Sequence, residues 1–222
     1  MACSCSSLTD STARHFDEKR VGTELSAYRR SGPGITTRAL LNYLAVRDPL
    51  PGTVLDIGSG IGAFTLGMLK AGVQHAICVD MSAASLAANA EEAERQGVGD
   101  RIEQVEGDFV AVASAVPSAD LVALDRVVCC YPRYPDLLTL AAGRSRSLLA
   151  MSFPRDRWWV RLTLRVENLW RYLRGDRFRA FVHSPAAMAD LLHGHGFLRT
   201  HAASTWTWQI EVYVRHVTKS GA

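Results

Sequence analysis

The chain has 222 residues, of which 48% are hydrophobic and 21% are charged, and its formal net charge is +3. These are the proportions of an ordinary globular domain, and the charge is too small to imply nucleic acid or a membrane as a partner. The spacing of the five cysteines is typical of neither a disulfide framework nor a pair of CxxC metal motifs. We therefore expect a single domain in the reducing cytoplasm, without a bound metal.

The N-terminal sequence MACSCSSLTDSTARHF has neither the basic nor the apolar segment of a signal peptide. No apolar run approaches the roughly 18 residues that a membrane span requires. We expect residues 1–15 to be a disordered tail and residues 16–222 to be the folded domain.

Helix-like and strand-like patterns alternate from residue 35 to residue 153. Apolar residues at helical spacing predict helices over residues 35–47, 63–71, 82–97 and 136–145. Short apolar runs predict strands over residues 52–58, 75–80, 101–108, 119–128 and 147–153. Strands that alternate with helices predict right-handed crossovers and a mainly parallel sheet with helices on both faces.

The last third of the chain has a different pattern. Residues 154–182 are rich in arginine and tryptophan, a short helix is predicted over residues 184–195, and two strand-like segments follow within residues 197–216. Two strands so close in sequence can pair as a hairpin, so we expect the sheet to end in an antiparallel strand.

The segment VLDIGSGIGAF, residues 54–64, places Gly58, Gly60 and Gly62 directly after a buried strand. Glycines at this point allow a tight turn and let the backbone approach a ligand at a helix N-terminus. The same segment also fits the dinucleotide fingerprint G-x-G-x-x-A, which is a weak signal alone. The discriminating residue is Asp56, two positions before the first glycine.

With Asp56, this segment resembles the first motif of the class I S-adenosylmethionine-dependent methyltransferases. The resemblance covers residues 50–155 and implies an α/β fold of the Rossmann-like, doubly wound type. Its sheet would have seven mainly parallel strands with an antiparallel last strand, an N-terminal helical flap and a helical lid after the fifth strand. The domain would comprise an N-terminal cap, a cofactor-binding core, the lid and the C-terminal strands, over residues 16–49, 50–153, 154–195 and 196–222.

The resemblance also implies S-adenosylmethionine as cofactor and S-adenosylhomocysteine as product. Asp80 ends the second strand about 20 residues after the loop, where a carboxylate accepts hydrogen bonds from both ribose hydroxyls. Asp108 would bond the adenine amino group, and Phe109 would lie against the ring. For each aspartate, the alternative is a helix N-cap without a ligand. The implied cofactor residues are Tyr28, Asp56, Gly58, Ser59, Gly60, Gly62, Asp80, Met81, Gly107, Asp108, Phe109, Asp125 and Arg126.

A looser similarity connects three segments with the magnesium-protoporphyrin O-methyltransferases, namely FDEKRVGTELSAYRRSGPGITTRALLNYL, SFPRDRWW and FVHSP. Those enzymes usually have His-Tyr-Pro after the fourth strand, whereas here Cys130 precedes Tyr131. This departure puts the porphyrin activity in doubt. The similarity places Tyr28 in a flap over the cofactor; a surface turn with solvated arginines is the alternative. The donors that it offers for a substrate carboxylate are Arg29, Arg30 and Arg38.

Residues 155–179 contain eight arginines and three acidic residues. One interpretation is a helix whose apolar stripe docks on the core while its arginines stay in solvent. The other is a lid over an anionic or amphipathic substrate, with Arg155 and Trp158 as substrate contacts, or a helix at a membrane surface. The stripe comprises Trp158, Leu162, Val166, Leu169 and Leu173.

Methyl transfer from a sulfonium needs alignment and exclusion of water, so a base is optional. If the acceptor carries a proton, His183 or Tyr131 would assist, although packing is the simpler role for His183. His193 and His195 lie at a helix C-terminus, which favours cationic side chains, and we do not expect them to bind metal.

Cys129 and Cys130 lie just beyond the fourth predicted strand. If the strand continued through them, alternation would send their side chains to opposite faces, which argues against a shared metal unless the strand has already ended. An activated thiolate would need a cationic neighbour such as Arg126. We instead expect Cys130 and Tyr131 to line the acceptor pocket.

These expectations favour methyl transfer to oxygen or nitrogen of a small molecule. Neither an Asn/Asp-Pro-Pro-Tyr tetrapeptide nor a Pro-Cys pair occurs in the chain, which disfavours nucleic acid as acceptor. Three alternatives stay open: an RNA or DNA methyltransferase, an NAD(P)-dependent oxidoreductase, and a non-catalytic S-adenosylmethionine-binding protein. Transient contact with a membrane surface is also left open, and the sequence specifies neither the acceptor nor the oligomeric state.

Overall fold

The structure is a computed structural model that describes residues 15–216. These residues form seven strands and eight α-helices. The strands are β1 (Thr53–Ile57), β2 (His75–Asp80), β3 (Ile102–Glu106), β4 (Ala119–Asp125), β5 (Ser145–Pro154), β6 (Phe197–Ser204) and β7 (Trp208–Arg215). The helices are α1 (Glu18–Ser31), α2 (Ile35–Leu44), α3 (Ala63–Ala71), α4 (Ala83–Arg95), α5 (Phe109–Val112), α6 (Tyr134–Arg144), α7 (Trp158–Leu173) and α8 (Pro185–Gly194).

All seven strands belong to one sheet, in the order β3-β2-β1-β4-β5-β7-β6. The pairs β1–β2, β1–β4, β2–β3 and β4–β5 are parallel, whereas β7 runs antiparallel to both β5 and β6. The predicted Rossmann-like α/β fold is therefore confirmed, including the antiparallel strand near the end of the sheet. The strand order reverses between β1 and β4, which is the point where doubly wound sheets open a ligand crevice.

The central strands are buried on both faces because helices pack on each side. Leu55 and Val122 face a core cluster that α6 and α8 complete. Val54 and Leu121, their neighbours along the same strands, face a second cluster that includes α2 and α3. This two-sided burial explains why the strands read as continuous apolar runs in the sequence.

Helix boundaries follow from local chemistry. Asp17 and Ser82 cap the N-termini of α1 and α4, where their side chains accept hydrogen bonds from backbone N–H groups. α3 ends before Gly72, which has a φ of 117° that glycine adopts without a steric penalty.

Several predicted boundaries are wrong. β4 ends at Asp125, not residue 128, because Arg126 takes a φ of 63° and turns the chain. α2 ends at Leu44 rather than at residue 47. Residues 1–14 of the predicted tail and residues 217–222 lie outside the described residues, but His15 is described and its side chain is buried.

The apolar stripe of α7 does not dock on the core. Trp158 is 73% exposed and Leu173 is 70% exposed, whereas Val160, on the opposite side of the helix, is buried. The interpretation of α7 as a helix packed by its stripe is therefore wrong. Among residues 15–216, no helix is both long enough and apolar enough to cross a bilayer.

Candidate functional site

A cavity of about 940 Å³ opens at the carboxyl ends of the parallel strands. Ligands of doubly wound sheets bind at this edge, outside the switch point of the strand order. Its floor consists of Asp56, Ile57, Gly58, Ser59, Gly60, Val79, Asp80, Met81, Gly107, Phe109, Asp125, Arg126 and Val127. The structure thus brings together all the predicted cofactor residues except Tyr28, Gly62 and Asp108.

Gly58 and Gly60, in the glycine loop after β1, are glycines for different reasons. Gly58 and Gly60 both have left-handed φ values, of 66° and 53°. A Cβ atom at Gly58 would lie 2.6 Å from Cγ2 of Val127, whereas one at Gly60 would have no neighbour within 4 Å. Gly58 is therefore required by packing against the turn after β4, and Gly60 borders open space. Gly62 does not line the cavity, and a Cβ atom there would meet Asn89 Oδ1 at 2.5 Å.

Asp80 holds the glycine loop at the end of β2. Its Oδ2 accepts a hydrogen bond from the Gly60 N–H at 2.8 Å, and its Oδ1 accepts one from the Ser82 N–H at 2.8 Å. Burial raises the pKa of Asp80, and these N–H groups oppose that shift. Each carboxylate oxygen has a second lone pair, so Asp80 can still accept hydrogen bonds from ligand hydroxyls.

Asp56 lies beneath the loop and is buried. Its Oδ2 accepts a hydrogen bond from Thr65 Oγ1 at 2.8 Å, and burial raises the pKa of Asp56 to about 7. Cys78 Sγ lies 3.3 Å from the same hydroxyl, and burial raises the pKa of the Cys78 thiol to about 12. Cys78 is therefore a packing residue without thiolate character.

Asp108 does not line the cavity. Its Oδ1 accepts hydrogen bonds from the Val110 N–H at 3.0 Å and from the Tyr131 hydroxyl at 2.6 Å. Asp108 thus caps the N-terminus of α5, which is the alternative that the sequence left open. Its neighbour Phe109 does line the cavity. Burial raises the pKa of Tyr131 far above its usual range, and the hydrogen bond to Asp108 raises it further.

The turn after β4 brings the two adjacent cysteines together. The carbonyl oxygen of Arg126 accepts from Cys129 Sγ at 3.3 Å and from Cys130 Sγ at 3.7 Å, and the sulfur atoms are 4.0 Å apart. The prediction of opposite faces is wrong because the strand has already ended. Both thiols line the cavity. The neighbouring Cys130 and burial raise the pKa of Cys129, so an activated thiolate is not supported.

Asp125 connects three elements at the floor of the cavity. Its carboxylate accepts hydrogen bonds from the hydroxyl of Thr37 in α2 and from that of Ser152 in β5. Thr37 also lines the cavity. This contact fixes the N-terminal cap against the carboxyl edge of the sheet.

α1, α7 and the segment after α7 form the remaining walls. The apolar contribution comes from Phe16, Ile61, Val160, Leu164, Phe178 and Trp208. Charged side chains lie among them, namely Lys19, Arg20, Glu24, Glu167 and Arg171. The chamber between these walls is therefore amphipathic.

His15 is a cavity residue that the sequence did not indicate. Its Nδ1 lies 2.7 Å from Oδ2 of Asp176, and its ring stacks on Phe178 with centroids 4.1 Å apart. Burial lowers the pKa of His15, and the Asp176 carboxylate opposes that shift. The two partners are 161 positions apart in the chain, so no local pattern could have revealed the pair.

His183, which the sequence offered as an assisting base, is not among the residues that line the cavity. Its Nε2 lies 3.2 Å from the carbonyl oxygen of Val128, and its ring packs beside Tyr134. Burial lowers the pKa of His183. It is the packing histidine that the sequence offered as the simpler alternative.

The three predicted substrate contacts are also outside the cavity. Arg38 follows the cavity residue Thr37 on α2, is exposed and donates to the Pro33 carbonyl at 3.0 Å. Arg155 donates to the Thr205 carbonyl at 3.0 Å. Trp158 belongs to the outward stripe of α7.

The N-terminal flap covers the cavity with different residues from those expected. Tyr28 packs against the apolar cluster of Val21, Leu25, Ile61 and Ala88 and does not line the cavity, which α1 reaches through residues such as Glu24. Arg29 binds Glu91 at 2.7 Å and Glu92 at 2.8 Å. The structure thus uses Arg29 to hold α1 on α4, and Arg30 is exposed outside the cavity. Neither is placed to bind a substrate carboxylate.

Known proteins resemble the chain in two ways. Residues 54–148 match the family described as Methyltransferase domain. The ribosomal protein L11 methyltransferase of Alteromonas mediterranea is 32% identical over 117 residues, which are 50% of this chain and 40% of that protein. The chain spans less than half the length of this relative.

Two crystal structures have the same fold. One is magnesium protoporphyrin IX methyltransferase from Synechocystis PCC 6803 with bound S-adenosylmethionine, which is 18% identical with a TM-score of 0.70 over 94% of this chain and 97% of that chain. The other is an O-methyltransferase family 2 protein from Planctomyces limnophilus in complex with apigenin, which is 18% identical with a TM-score of 0.65 over 90% of this chain and 62% of that chain. Residues 54–148, less than half of the chain, therefore match a methyltransferase domain family, and the described residues have the fold of these two methyltransferases.

Proposed function

We propose that the protein is an S-adenosylmethionine-dependent methyltransferase that methylates oxygen or nitrogen of a small molecule and releases S-adenosylhomocysteine. The observation that carries the proposal is the continuity of the cavity. It joins the glycine loop and Asp80 to the amphipathic chamber under α1 and α7. A donor and an acceptor can thus meet in one continuous cavity.

The floor of the cavity fits the cofactor. The space beside Gly60 is open, and Ser59 Oγ is buried without a hydrogen-bond partner among residues 15–216. We assign the methionine part to the glycine loop, the ribose hydroxyls to Asp80 and the adenine ring to Phe109. When bound, the cofactor supplies a methyl group on a positively charged sulfur. Buried Asp56 supports the loop from below through Thr65.

The chamber favours a small acceptor with both apolar and ionised parts. Val160 and Phe178 offer apolar contact, whereas Arg20, Glu167 and Arg171 offer charge. Magnesium protoporphyrin itself is not part of the proposal, because the His-Tyr-Pro sequence of its methyltransferases is absent. Of the two fold neighbours, one is named for magnesium protoporphyrin IX and the other is in complex with apigenin, and each alignment covers at least 90% of this chain, which supports a small-molecule acceptor.

The chain's contribution to methyl transfer is mainly to position the acceptor and to exclude water, because charge disperses during the displacement. An ionised acceptor needs no proton acceptor. For a protonated acceptor we assign that task to His15, because an Nδ1–H donated to Asp176 leaves Nε2 free to take a proton. Tyr131 does not fit this role, since its hydroxyl donates to Asp108 and its pKa is raised.

Calorimetry of the full chain with S-adenosylmethionine, S-adenosylhomocysteine and NAD tests the cofactor assignment. We expect binding of the first two ligands and a loss of at least tenfold in affinity for Asp80→Asn. Asp120→Asn is the matched control. Like Asp80, Asp120 is a strand residue whose carboxylate accepts hydrogen bonds, in its case from Thr53, but Asp120 lies outside the cavity. Binding of NAD alone would show that the protein is an oxidoreductase.

Turnover is tested by incubating the protein and a methyl-labelled donor with a cell extract that contains metabolites, RNA and DNA. Label in a small molecule supports the proposal. We also propose that the protein acts in the cytoplasm. Label only in RNA or DNA would contradict the proposed acceptor class. Donor binding without label in any fraction would instead identify a non-catalytic S-adenosylmethionine-binding protein.

A further inference from the structure

The outward face of α7 exposes a continuous row of large apolar side chains. Each member of the stripe is more than half exposed, namely Trp158, Leu162, Val166, Leu169 and Leu173. The cavity-lining residues of this helix lie on its other side, including Val160 and Leu164. The stripe is therefore not needed to close the cavity or to build the core, and its exposure requires a separate explanation.

Aromatic side chains extend this surface at both ends of α7. Trp170 and Tyr172 lie near its C-terminus and are more than half exposed. Near its N-terminus, Trp206 from the turn between β6 and β7 packs against Trp159 with ring centroids 5.7 Å apart, and Trp206 is 75% exposed. Tryptophan and tyrosine favour the boundary between hydrocarbon and water, because their rings are apolar with one polar atom.

The same segment concentrates the positive charge of the chain. Eight arginines and three acidic residues give residues 155–179 a net charge of +5, against +3 for all 222 residues. The three acidic side chains already have partners, because Asp156 binds Arg161, Glu167 binds Arg171 and Asp176 binds His15. Four exposed arginines are then left without an acidic partner among residues 15–216, namely Arg157, Arg165, Arg174 and Arg177.

We propose that this face, α7 with Trp206, docks on the surface of a bilayer that contains anionic phospholipids. Such a surface offers both partners that the face lacks, an apolar boundary for the stripe and phosphates for the arginines. The docking does not depend on the proposed enzymatic activity.

Other occupants fit the face less well. A second copy would bring together two segments 155–179, each with a net charge of +5, and like charges repel each other. Nucleic acid would bind the arginines but would leave the apolar stripe exposed. Residues 1–14 and 217–222 contain only Met1, Leu8 and Val217 as large apolar residues, too few to cover five stripe positions.

Cosedimentation of the full chain with vesicles tests the proposal. One set of vesicles contains phosphatidylcholine alone, and the other contains phosphatidylcholine with phosphatidylglycerol. We expect binding to the second set only, weakened by salt, and a blue shift of tryptophan fluorescence on binding. Leu162→Gln with Leu169→Gln should lower the affinity at least tenfold, and Arg157→Gln with Arg165→Gln should lower it roughly fivefold per arginine.

Val46→Gln and Arg38→Gln are the matched controls, because both residues are exposed and neither lies on α7. They should bind vesicles like the wild type. All variants change exposed side chains, so their melting temperatures should stay unchanged and confirm that they fold.

Two results would overturn the proposal. Equal sedimentation with both vesicle sets, without an effect of the arginine pair, would mean that anionic lipid is not recognised. Absence of vesicle binding together with a dimer that Leu162→Gln and Leu169→Gln dissociate would identify the face as a contact between two copies.

Discussion

The hydroxyl group of Tyr131 donates a hydrogen bond of 2.6 Å to Oδ1 of Asp108, and this bond joins the segments that follow β3 and β4. The phenol is buried and its pKa is raised, so it remains protonated throughout the neutral range. We expect Tyr131→Phe to lower the free energy of unfolding by about 1–2 kcal/mol, because Asp108 loses a buried donor. The shape of the pH–rate profile should not change. Urea unfolding and turnover measured across the neutral pH range would check both expectations.

A basic limb of the profile that disappears in Tyr131→Phe would contradict this assignment, because it would show that the phenol takes a proton during the reaction. Phe109, the first residue of α5, lines the cavity and has no polar side-chain atom, so its substitution tests contact with the cofactor and not proton transfer. Phe109→Leu should weaken cofactor binding and leave the pH–rate profile unchanged.

Substitution of Gly60 has two effects that can be measured separately, backbone strain and loss of contact with the ligand. Gly60→Ala places a methyl group in the open space beside the loop, with φ at 53°. We expect at least a tenfold loss of affinity for S-adenosylmethionine, together with a loss of about 1 kcal/mol in unfolding free energy from the left-handed conformation. Calorimetry and urea unfolding measure the two effects separately.

Gly97→Ala is the control for that strain. Gly97 has a similar φ of 70° and no neighbour within 4 Å of an added Cβ atom, but it lies outside the cavity after α4. It should cost the same stability and leave the affinity intact. If both variants lost affinity equally, the cofactor would not approach Gly60.

The sequence predicted the floor of the cavity well because its signals are local. A buried strand, a glycine turn and an aspartate at the end of the next strand occupy consecutive stretches of chain, and the parallel topology brings them to one edge. Asp56, Gly58 and Asp80 lie where the resemblance placed them. The positive φ of Arg126 was not predicted, because arginine has no preference for that conformation, and the error displaced the two cysteines.

The walls of the cavity could not be predicted in the same way. Their residues come from α1, α7 and the segment around Phe178, which only the tertiary fold brings together. Helical periodicity correctly grouped the apolar stripe of α7 but could not show which side faces the sheet. A pattern that contains an apolar face and a charged face normally buries the former, and here the structure exposes it.

His15 gives the acceptor side a testable proton acceptor. Its pKa is lowered by burial, so the ring is neutral at neutral pH and can accept a proton. With an acceptor that must lose a proton, we expect His15→Gln to reduce kcat by about a hundredfold or more and to remove the acidic limb of the pH–rate profile. Affinity for S-adenosylhomocysteine should change little.

His183→Gln is the matched control, because His183 is also partly buried with a lowered pKa but lies outside the cavity. It should keep the acidic limb and most of kcat. An unchanged profile in His15→Gln would assign the limb to the acceptor itself and remove His15 from the proposed mechanism.

Asp56 should make stability fall as pH rises. Burial raises its pKa from 3.8 to about 7, so between these values the folded state holds a proton that the unfolded state has released. The free energy of unfolding then decreases by up to about 1.4 kcal/mol per pH unit, or about 4 kcal/mol across the window, and levels off above pH 7.

Asp56→Asn keeps an acceptor for Thr65 without a titrating proton. The difference between wild type and variant isolates Asp56, because other groups titrate in both proteins. We expect that difference, measured by urea unfolding without cofactor, to change steadily from about pH 4 to pH 7. Parallel stability curves would show that Asp56 is already ionised in the folded protein, and that its burial is offset by contacts other than the Thr65 hydroxyl.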